Sequence, residues 1–493
     1  MSRHGPFESG KDVLAIDPNG IPCAFQLKGS TGKISQKEWA KYVEQVIRLV
    51  ETPIIHPSID EKKPRKVFFV TNGELDEEVR LEISDRNREW ERRGLPPLIT
   101  IVKGELLARF LKLHENLWPK ELVSYKELLE LFLEDGSGYL DKPKLSRFTS
   151  NILSENNNIY QTEKVRSLSS LALITEYAIS SFVEKTNYVA IVEAWLIYLA
   201  EIIAFVTKHN IPEKYWKANF NLALETIDQT FLSLISELQE RRFLVEGNPM
   251  VDSPFYHGRI TWLLGLISAY ALWKNTVDKD WSNEAVYSIV MANQKYIHLW
   301  GEAAIPQLLS ISWFLRSCKI EHRASGLVEA IARGICSANL DANSKGLADP
   351  YHNLGEVIVN NAGLSDVLQK ENFQGRSYFL EGIVQLLTRW GWRGILNELW
   401  PQITRITYTE YKTIQPWEFC LWHTETGELI IHQPKFPQSW LALQEESAKI
   451  DLSYIPKVFK KTPTLLLLFS IVYPHRATKD VIKFLDECFQ KYN

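Results

Sequence analysis

Hydrophobic and polar residues alternate in short runs over the first part of the chain and follow helical spacing over the rest. Two apolar runs, 13–16 and 21–27, flank Asn19-Gly20, which is a strong signal for a two-stranded hairpin. Downstream, the pattern predicts an amphipathic helix, a buried strand ending in a glycine turn, a charged helix, another strand and a closing helix. These five elements are expected at 36–50, 66–73, 77–92, 98–102 and 105–113.

From Leu122 onward, long segments carry apolar residues at helical intervals and are separated by short Pro, Gly or Asn connections. One segment departs from this pattern and predicts a hairpin, with strands at 417–422 and 428–432. No fixed repeat period holds across the region. The predicted helices span 165–184, 188–208, 214–241, 260–274, 282–300, 303–317, 324–339, 355–368, 377–390 and 478–492.

These patterns predict two domains. Residues 1–120 are expected to form an α+β or α/β domain, with a mixed sheet flanked by helices. Residues 121–493 are expected to form a mainly α-helical region with room for two subdomains. A chain of 493 residues is long enough for two or three domains with ample cores.

Composition narrows the functional classes. The formal net charge of −4 argues against a protein coated in nucleic acid, although a local basic groove is sufficient to engage phosphates. The five cysteines are widely scattered, which excludes a zinc ribbon and favours a reducing compartment without disulfides. The longest apolar run, 465–473, is too short to span a bilayer, and no signal-peptide pattern is visible. We therefore expect a cytoplasmic protein that does not engage a membrane.

The first hairpin carries the residues with the clearest chemistry. Gln26 and Lys28 share one face of the second strand, whereas Phe25 and Leu27 are expected to point into a core on the other face. Asp12 lies on the partner strand, roughly opposite them. A carboxylate beside an amide oxygen can hold a hard divalent cation. A neighbouring ammonium can orient an attacking water or stabilise the charge that develops on a phosphate.

This arrangement resembles the PD-(D/E)XK nucleases, and among them the Mrr-type restriction endonucleases, in which an Asp and a short hairpin precede Gln-x-Lys or Glu-x-Lys. The strand, Thr-x-Gly turn, helix, strand and helix that follow occur in the same order in that family. The resemblance covers roughly residues 5–115. It implies a metal-dependent DNA endonuclease in which Asp12, the Gln26 side-chain oxygen and the Leu27 carbonyl hold Mg²⁺, for which Mn²⁺ can substitute. It also implies that Lys28 positions the attacking water and stabilises the pentavalent phosphate.

Family members with large extra regions commonly resemble bacterial defence effectors against phage, so the resemblance implies a restriction or anti-phage system. Lys33, after a glycine-rich stretch, and Lys11 are candidate contacts to DNA phosphates. Glu8 is either a second metal ligand or a plain surface acid. Mrr-like domains begin with a helix before the Asp, and Gly5-Pro6 disfavours a long helix here. That helix would lie upstream, be dispensable, or come from a partner.

An alternative hypothesis belongs to another functional class. The helical region would dock a protein partner or a second copy of the chain, and the nuclease-like domain would bind DNA without cutting it, or cut only in the complex. Gln26 supports this alternative, because a neutral amide binds a cation less tightly than a carboxylate does. The sixteen tryptophans, mostly in the helical region, are expected to pack between helices.

Overall fold

The computed structural model describes residues 11–17, 20–30, 32–54, 64–113, 122–154, 161–240, 254–340, 345–361, 373–424 and 426–490. Contacts within the chain divide it into two compact units, Met1–Trp118 and Pro119–Asn493. The first unit contains a mixed sheet and the second is mainly helical, which agrees with the predicted layout.

The first unit is built on a four-stranded mixed sheet. Its elements are β1 (Val13–Ile16), β2 (Pro22–Lys28), β3 (Lys33–Ile34), α1 (Gln36–Glu51), β4 (Lys66–Thr71), β5 (Glu74–Leu75), α2 (Glu77–Arg92), β6 (Leu98–Ile101) and α3 (Lys103–Leu113). The strand order is β1-β2-β4-β6, with β1 antiparallel to β2 and the other neighbours parallel. Helices α1 and α2 connect the parallel neighbours, as crossovers between parallel strands require. The short strands β3 and β5 form a separate parallel pair.

The two faces of this sheet are covered unequally. The larger core includes Ala24 and Phe69 from the sheet and Trp39 from α1, whose ring packs edge-on against Phe69 at 5.3 Å. The opposite face holds a smaller cluster, in which the Phe25 ring stacks on Phe68 at 4.7 Å. The helix α1 therefore provides much of the hydrophobic burial that stabilises this unit.

Residues along β2 alternate between these faces, and the alternation corrects one expectation. Phe25 is half-buried, but Leu27 is 46% exposed and does not enter a core as predicted. Gln26 lies on the same face as Ala24 and is only 2% exposed. The polar residues of β2 thus point towards the larger core, because α1 packs on that face.

The second unit consists mainly of helices. Its elements are α4 (Leu122–Phe132), α5 (Lys142–Ser154), α6 (Gln161–Ala178), α7 (Ser180–Glu184), α8 (Tyr188–Lys208), α9 (Lys217–Glu240), α10 (Pro254–Val277), α11 (Glu284–Asn293), α12 (Ile305–Ser317), α13 (Glu321–Ala338), α14 (Leu354–Asn361), β7 (Arg376–Ser377), α15 (Leu380–Arg389), α16 (Arg393–Ile403), β8 (Thr407–Lys412), β9 (Glu428–His432), α17 (Trp440–Ala448), α18 (Lys457–Lys461), α19 (Pro463–Val472) and α20 (Lys479–Gln490).

The prediction of a hairpin at 417–432 is wrong for its first strand. β9 forms where predicted, but its antiparallel partner is β8, and β7 joins β8 in parallel. Glu418–Cys420 instead forms a short 3-10 turn. The aromatic residues around Trp417 suggested a strand, but the strand that pairs with β9 is β8. Buried and less buried residues alternate along β8, and Tyr408 and Glu410 are the buried ones.

Helix α8 lies in the core of the second unit and packs against α5, α6, α9 and α19. Among the described residues it is the one helix long and apolar enough to cross a membrane. However, 94% of its apolar window is buried inside the protein. Such burial is typical of a core helix, and the cytoplasmic location stays a prediction.

Candidate functional site

Asp12 immediately precedes β1, and the hairpin brings it beside the end of β2. The turn is closed by Asp17, whose Oδ1 accepts a hydrogen bond from the Ile21 N–H at 2.9 Å. Gly20 follows in the left-handed region at φ +78°, which favours glycine. Asp17 is therefore a turn residue, and Asp12 is the hairpin carboxylate that reaches the strand end.

The Asp12 carboxylate is hydrogen-bonded to the end of β2. Its Oδ2 accepts from Gln26 Nε2 and from the Leu27 backbone N–H, both at 2.6 Å. Gln26 Oε1 is buried and has no hydrogen-bond partner among the residues that the structure describes. Asp12 and Gln26, which lie fourteen positions apart in the chain, are thus in direct contact.

The Leu27 carbonyl faces the same edge of β2. In an extended strand the N–H and C=O of one residue point to one side. Because Leu27 donates its N–H to Asp12, its carbonyl also lies on the Asp12 side, where β1 has not yet begun. A carboxylate, an amide and a backbone carbonyl therefore share this corner of the sheet.

Lys28 lies two residues beyond Gln26 and on the same face of β2. Its Nζ lies 5.5 Å from the centroid of the Tyr42 ring on α1, within the range of a cation–π interaction. Sequence reasoning missed Tyr42. The signal that could have found it is its position three residues after Trp39, on the side of α1 that packs against the sheet.

The other predicted site residues differ in exposure. Lys33 is exposed at the start of β3. Lys11 is only 7% exposed, and burial together with the nearby Arg65 lowers its pKa to about 8. The DNA contact expected of Lys11 stays a prediction, and this burial does not favour it. Glu8 lies outside the described residues.

The turn that ends β4 supports the loop that follows β2. Asn72 Oδ1 accepts the Ser30 N–H at 2.7 Å, and Thr71 Oγ1 accepts the Gly73 N–H at 3.0 Å. A Cβ atom at Gly73 would lie 2.5 Å from the Gly32 carbonyl oxygen, so this close approach requires glycine. The Thr-x-Gly pattern in the sequence thus corresponds to a turn that holds the end of the strand carrying the candidate site.

The chemistry of this corner suits a hard cation only in part. Within the described ranges, no group of three or more His, Cys, Asp or Glu side chains is placed to hold a metal ion. A cation here would depend on the Asp12 carboxylate and on neutral oxygens, which are ligands that Mg²⁺ accepts. Gln26 directs its Nε2 towards Asp12, so the unpartnered Oε1 would reach such a cation only after a half-turn of the amide.

The candidate site is therefore a polar corner at the C-terminal end of β2, formed by the hairpin and covered by α1. Asp12, Gln26 and Leu27 are in contact there, and Lys28 lies on the Gln26 face. No family model, no curated protein and no solved structure matches this chain.

Proposed function

We propose that the first unit is a metal-dependent DNA endonuclease domain of the Mrr type, with Asp12, Gln26 and Lys28 as its active-site residues. The observation that carries the proposal is the contact of Gln26 Nε2 with Asp12 Oδ2 at 2.6 Å. These two residues occupy the positions of the Asp and the Gln in the family pattern. The mixed sheet and its crossover helices are compatible with such a domain.

A divalent cation beside Asp12 would need the Gln26 amide oxygen, rather than the Nε2 that now contacts Asp12, on that side of the amide. A half-turn of a side-chain amide exchanges its oxygen and nitrogen, which would direct Gln26 Oε1 towards Asp12. Without a cation, that orientation sets two acceptors against each other. The ligands of Mg²⁺, or of Mn²⁺ in its place, would be Asp12, Gln26 and the Leu27 carbonyl. When bound, such an ion polarises the scissile phosphate and lowers the pKa of a water.

Lys28 has the charge that phosphodiester hydrolysis requires. Negative charge develops on the phosphate oxygens during attack, and an ammonium held in place stabilises it. The Lys28 ammonium lies over the Tyr42 ring, and this contact restricts the positions that the ammonium can occupy. Lys33, which is exposed, would add an electrostatic contact to the DNA backbone.

One observation favours the alternative function. The Asp12 carboxylate already accepts two hydrogen bonds, and one carboxylate with neutral ligands binds Mg²⁺ weakly. In this alternative the helical region docks a partner protein or a second copy of the chain, and the first unit binds DNA without cutting it or cuts only in that complex. Both functions suit a cytoplasmic protein of a bacterial restriction or anti-phage system, the setting that the family resemblance suggests.

Plasmid cleavage tests the proposal. The full-length protein is expected to nick and linearise supercoiled plasmid in Mg²⁺ or Mn²⁺ and to be inactive in EDTA. Lys28→Ala should lower the cleavage rate by roughly 10²–10³, the loss typical of removing one group that stabilises transition-state charge. The exposed Lys41 on α1 offers a matched control, and Lys41→Ala should cut at the wild-type rate.

The outcomes separate the two functions. Equal cleavage by Lys28→Ala and wild type would show that another site, or a contaminant, cuts the DNA. DNA binding by the wild type without cleavage in either metal would favour the alternative.

A further inference from the structure

Strand β9 forms one edge of the three-stranded sheet in the second unit. Its one ladder is with β8, and no hydrogen bond joins the backbone on its other side to any described residue. Four of its five residues are exposed, and the fifth, Ile430, is half-buried. A strand that presents a row of N–H and C=O groups in this way is a template for pairing with another strand.

The composition of β9 does not protect this edge. Leu429 and Ile431 are 60% and 58% exposed, and they share the face of the sheet that carries Tyr411 and Thr409 of β8. Natural edge strands are commonly protected by Lys or Pro, or by a covering helix or loop. Neither residue type occurs within Glu428–His432, and among the described elements only β8 packs extensively against β9. An apolar edge without protection indicates that another strand covers it.

The two ends of β9 carry groups that could pair with each other across such an interface. The Glu428 side chain forms no ion pair and no hydrogen bond with any described residue. Lys412 lies opposite it on β8, but it pairs with Asp451 at 2.9 Å. At the other end, His432 Nε2 lies 3.5 Å from Glu381 Oε1, and its Nδ1 forms no hydrogen bond with any residue that the structure describes. The strand therefore begins with an unpaired acid and ends with an imidazole nitrogen that can still form a hydrogen bond.

The sequence of β9 is complementary to itself. When two copies pair in antiparallel fashion with Ile430 opposite Ile430, Leu429 lies opposite Ile431 and Glu428 lies opposite His432. This register sets apolar side chains against apolar ones, and a carboxylate against an imidazole that can donate to it. The nearest alternative registers set the carboxylate opposite an apolar side chain or a proline. The match therefore selects one register.

We propose that β9 pairs with β9 of a second copy of this chain, in antiparallel orientation and centred on Ile430. The complementary residues are all supplied by β9 itself, which favours a second copy over an unrelated protein as the partner. Two three-stranded sheets would join into one of six strands, with Leu429 and Ile431 of both copies adjacent on one face. Pairing satisfies the backbone groups of the edge and removes these side chains from water. Because strands of this length form a small interface, the dimer is expected to be weak, with a Kd in the micromolar range.

Sedimentation equilibrium of the full-length protein, from low to high micromolar concentration, tests this proposal. The wild type is expected to pass from monomer to dimer over this range. Ile431→Lys should raise the Kd of the dimer about tenfold or more, because it places an ammonium among the apolar side chains of the interface. Thermal stability at low concentration should change little, since Ile431 is exposed.

Val277→Lys provides the matched control. Val277, at the end of α10, is also β-branched and is 62% exposed, so the variant adds the same charge away from β9. It should dimerise as the wild type does. A wild type that stays monomeric at millimolar concentration would overturn the proposal. Equal dimerisation of Ile431→Lys and the wild type would also overturn it, because the chains would then associate through another surface.

Cysteine substitution tests the register. The Cα atoms of directly opposite residues in antiparallel strands lie roughly 4.5–5.5 Å apart, a separation that a disulfide can span. Ile430→Cys is therefore expected to form a covalent dimer under mild oxidation. Leu429→Cys and Ile431→Cys should crosslink when mixed but much less when oxidised separately, because each then faces its counterpart only diagonally.

The two crosslinking tests cover both kinds of strand pair. Opposite residues alternate between hydrogen-bonded and non-hydrogen-bonded pairs, so one of the two tests places its cysteines in the closer pair. The wild type, oxidised at the same concentration, measures crosslinking through the five native cysteines. Crosslinking no greater than this baseline in both tests would overturn the antiparallel pairing centred on Ile430.

The inference does not rest on the endonuclease proposal. A second copy of the chain is one of the partners in the alternative function, and β9 is the surface that it would use. Lys28→Ala, in the first unit, should dimerise as the wild type does, whether or not the wild type cuts DNA. Loss of the dimer in Lys28→Ala would contradict an interface formed by β9.

Discussion

Glu201→Gln is expected to stabilise the protein at pH 8 by several kcal/mol and to have little effect near pH 4.5. Glu201 lies in the middle of the core helix α8 and is buried. Burial raises its pKa to about 8, although hydrogen bonds from Ser146 and Ser150 oppose the shift. The Ser146 Oγ donates to Glu201 Oε1 at 2.8 Å. The folded protein therefore holds this carboxyl protonated at neutral pH.

The sign of the effect follows from proton linkage. A pKa raised on folding gives a stabilising contribution that is complete below the unfolded value, 4.5, and is lost as the pH rises towards 8. Over this interval the free energy of unfolding should fall by roughly 5 kcal/mol through Glu201 alone. Glutamine keeps an acceptor for Ser146 but does not titrate, so this part of the pH dependence should disappear. The buried Glu302, whose pKa burial raises to about 7, leaves a smaller slope in the variant.

Urea unfolding followed by circular dichroism at several pH values between roughly 5 and 8 measures this difference. The exposed Glu225 on α9 offers the control, and Glu225→Gln should follow the wild-type curve. Parallel stability curves for wild type and Glu201→Gln would show that Glu201 is ionised in the folded protein at neutral pH.

The two buried acids of α8 illustrate what local patterns do not reveal. The apolar run predicted this helix with its observed bounds, Tyr188–Lys208. Periodicity alone does not show that Glu193 pairs with Lys142 or that Glu201 accepts a hydrogen bond from Ser146, because those partners come from α5, about fifty residues away. The same limit explains the error over β8, since strand pairing across an intervening turn depends on packing rather than on nearby residues.

In the first unit, the order of strands and helices could be predicted because the sequence patterns that define them are local. The turn at Gly20, the amphipathic face of α1 and the turn at Gly73 each depend on a few adjacent residues. Alternation along β2 also placed Gln26 and Lys28 on one face. It did not show which face α1 covers, because that depends on the three-dimensional crossover. The contact of Asp12 with Gln26 followed from the hairpin, whereas the orphaned Gln26 Oε1 required the structure.

Gln26→Glu is expected to make the stability of the first unit depend on divalent cations. The new carboxylate would replace an amide that is 2% exposed and lies 2.6 Å from the Asp12 carboxylate. Two carboxylates in contact repel each other, and a buried charge without a partner costs roughly 3–5 kcal/mol. In EDTA the variant should therefore be less stable than the wild type by about this amount. A Mg²⁺ ion between the carboxylates removes the repulsion and should restore about 2.7 kcal/mol at a hundred times its Kd.

Hydrogen exchange of peptides from β2 and β4, measured in EDTA and in Mg²⁺, reports the stability of the first unit separately from that of the second. Two variants serve as controls. Gln26→Met keeps the approximate size without the charge, and Gln45→Glu adds a carboxylate at an exposed position of α1. Neither should make exchange depend on Mg²⁺. If Gln26→Glu is destabilised equally in both conditions, the corner beside Asp12 does not bind a cation. In that case plasmid cleavage by the wild type would have to come from other residues, whereas Mg²⁺ rescue without cleavage would leave a cation site that only a partner activates.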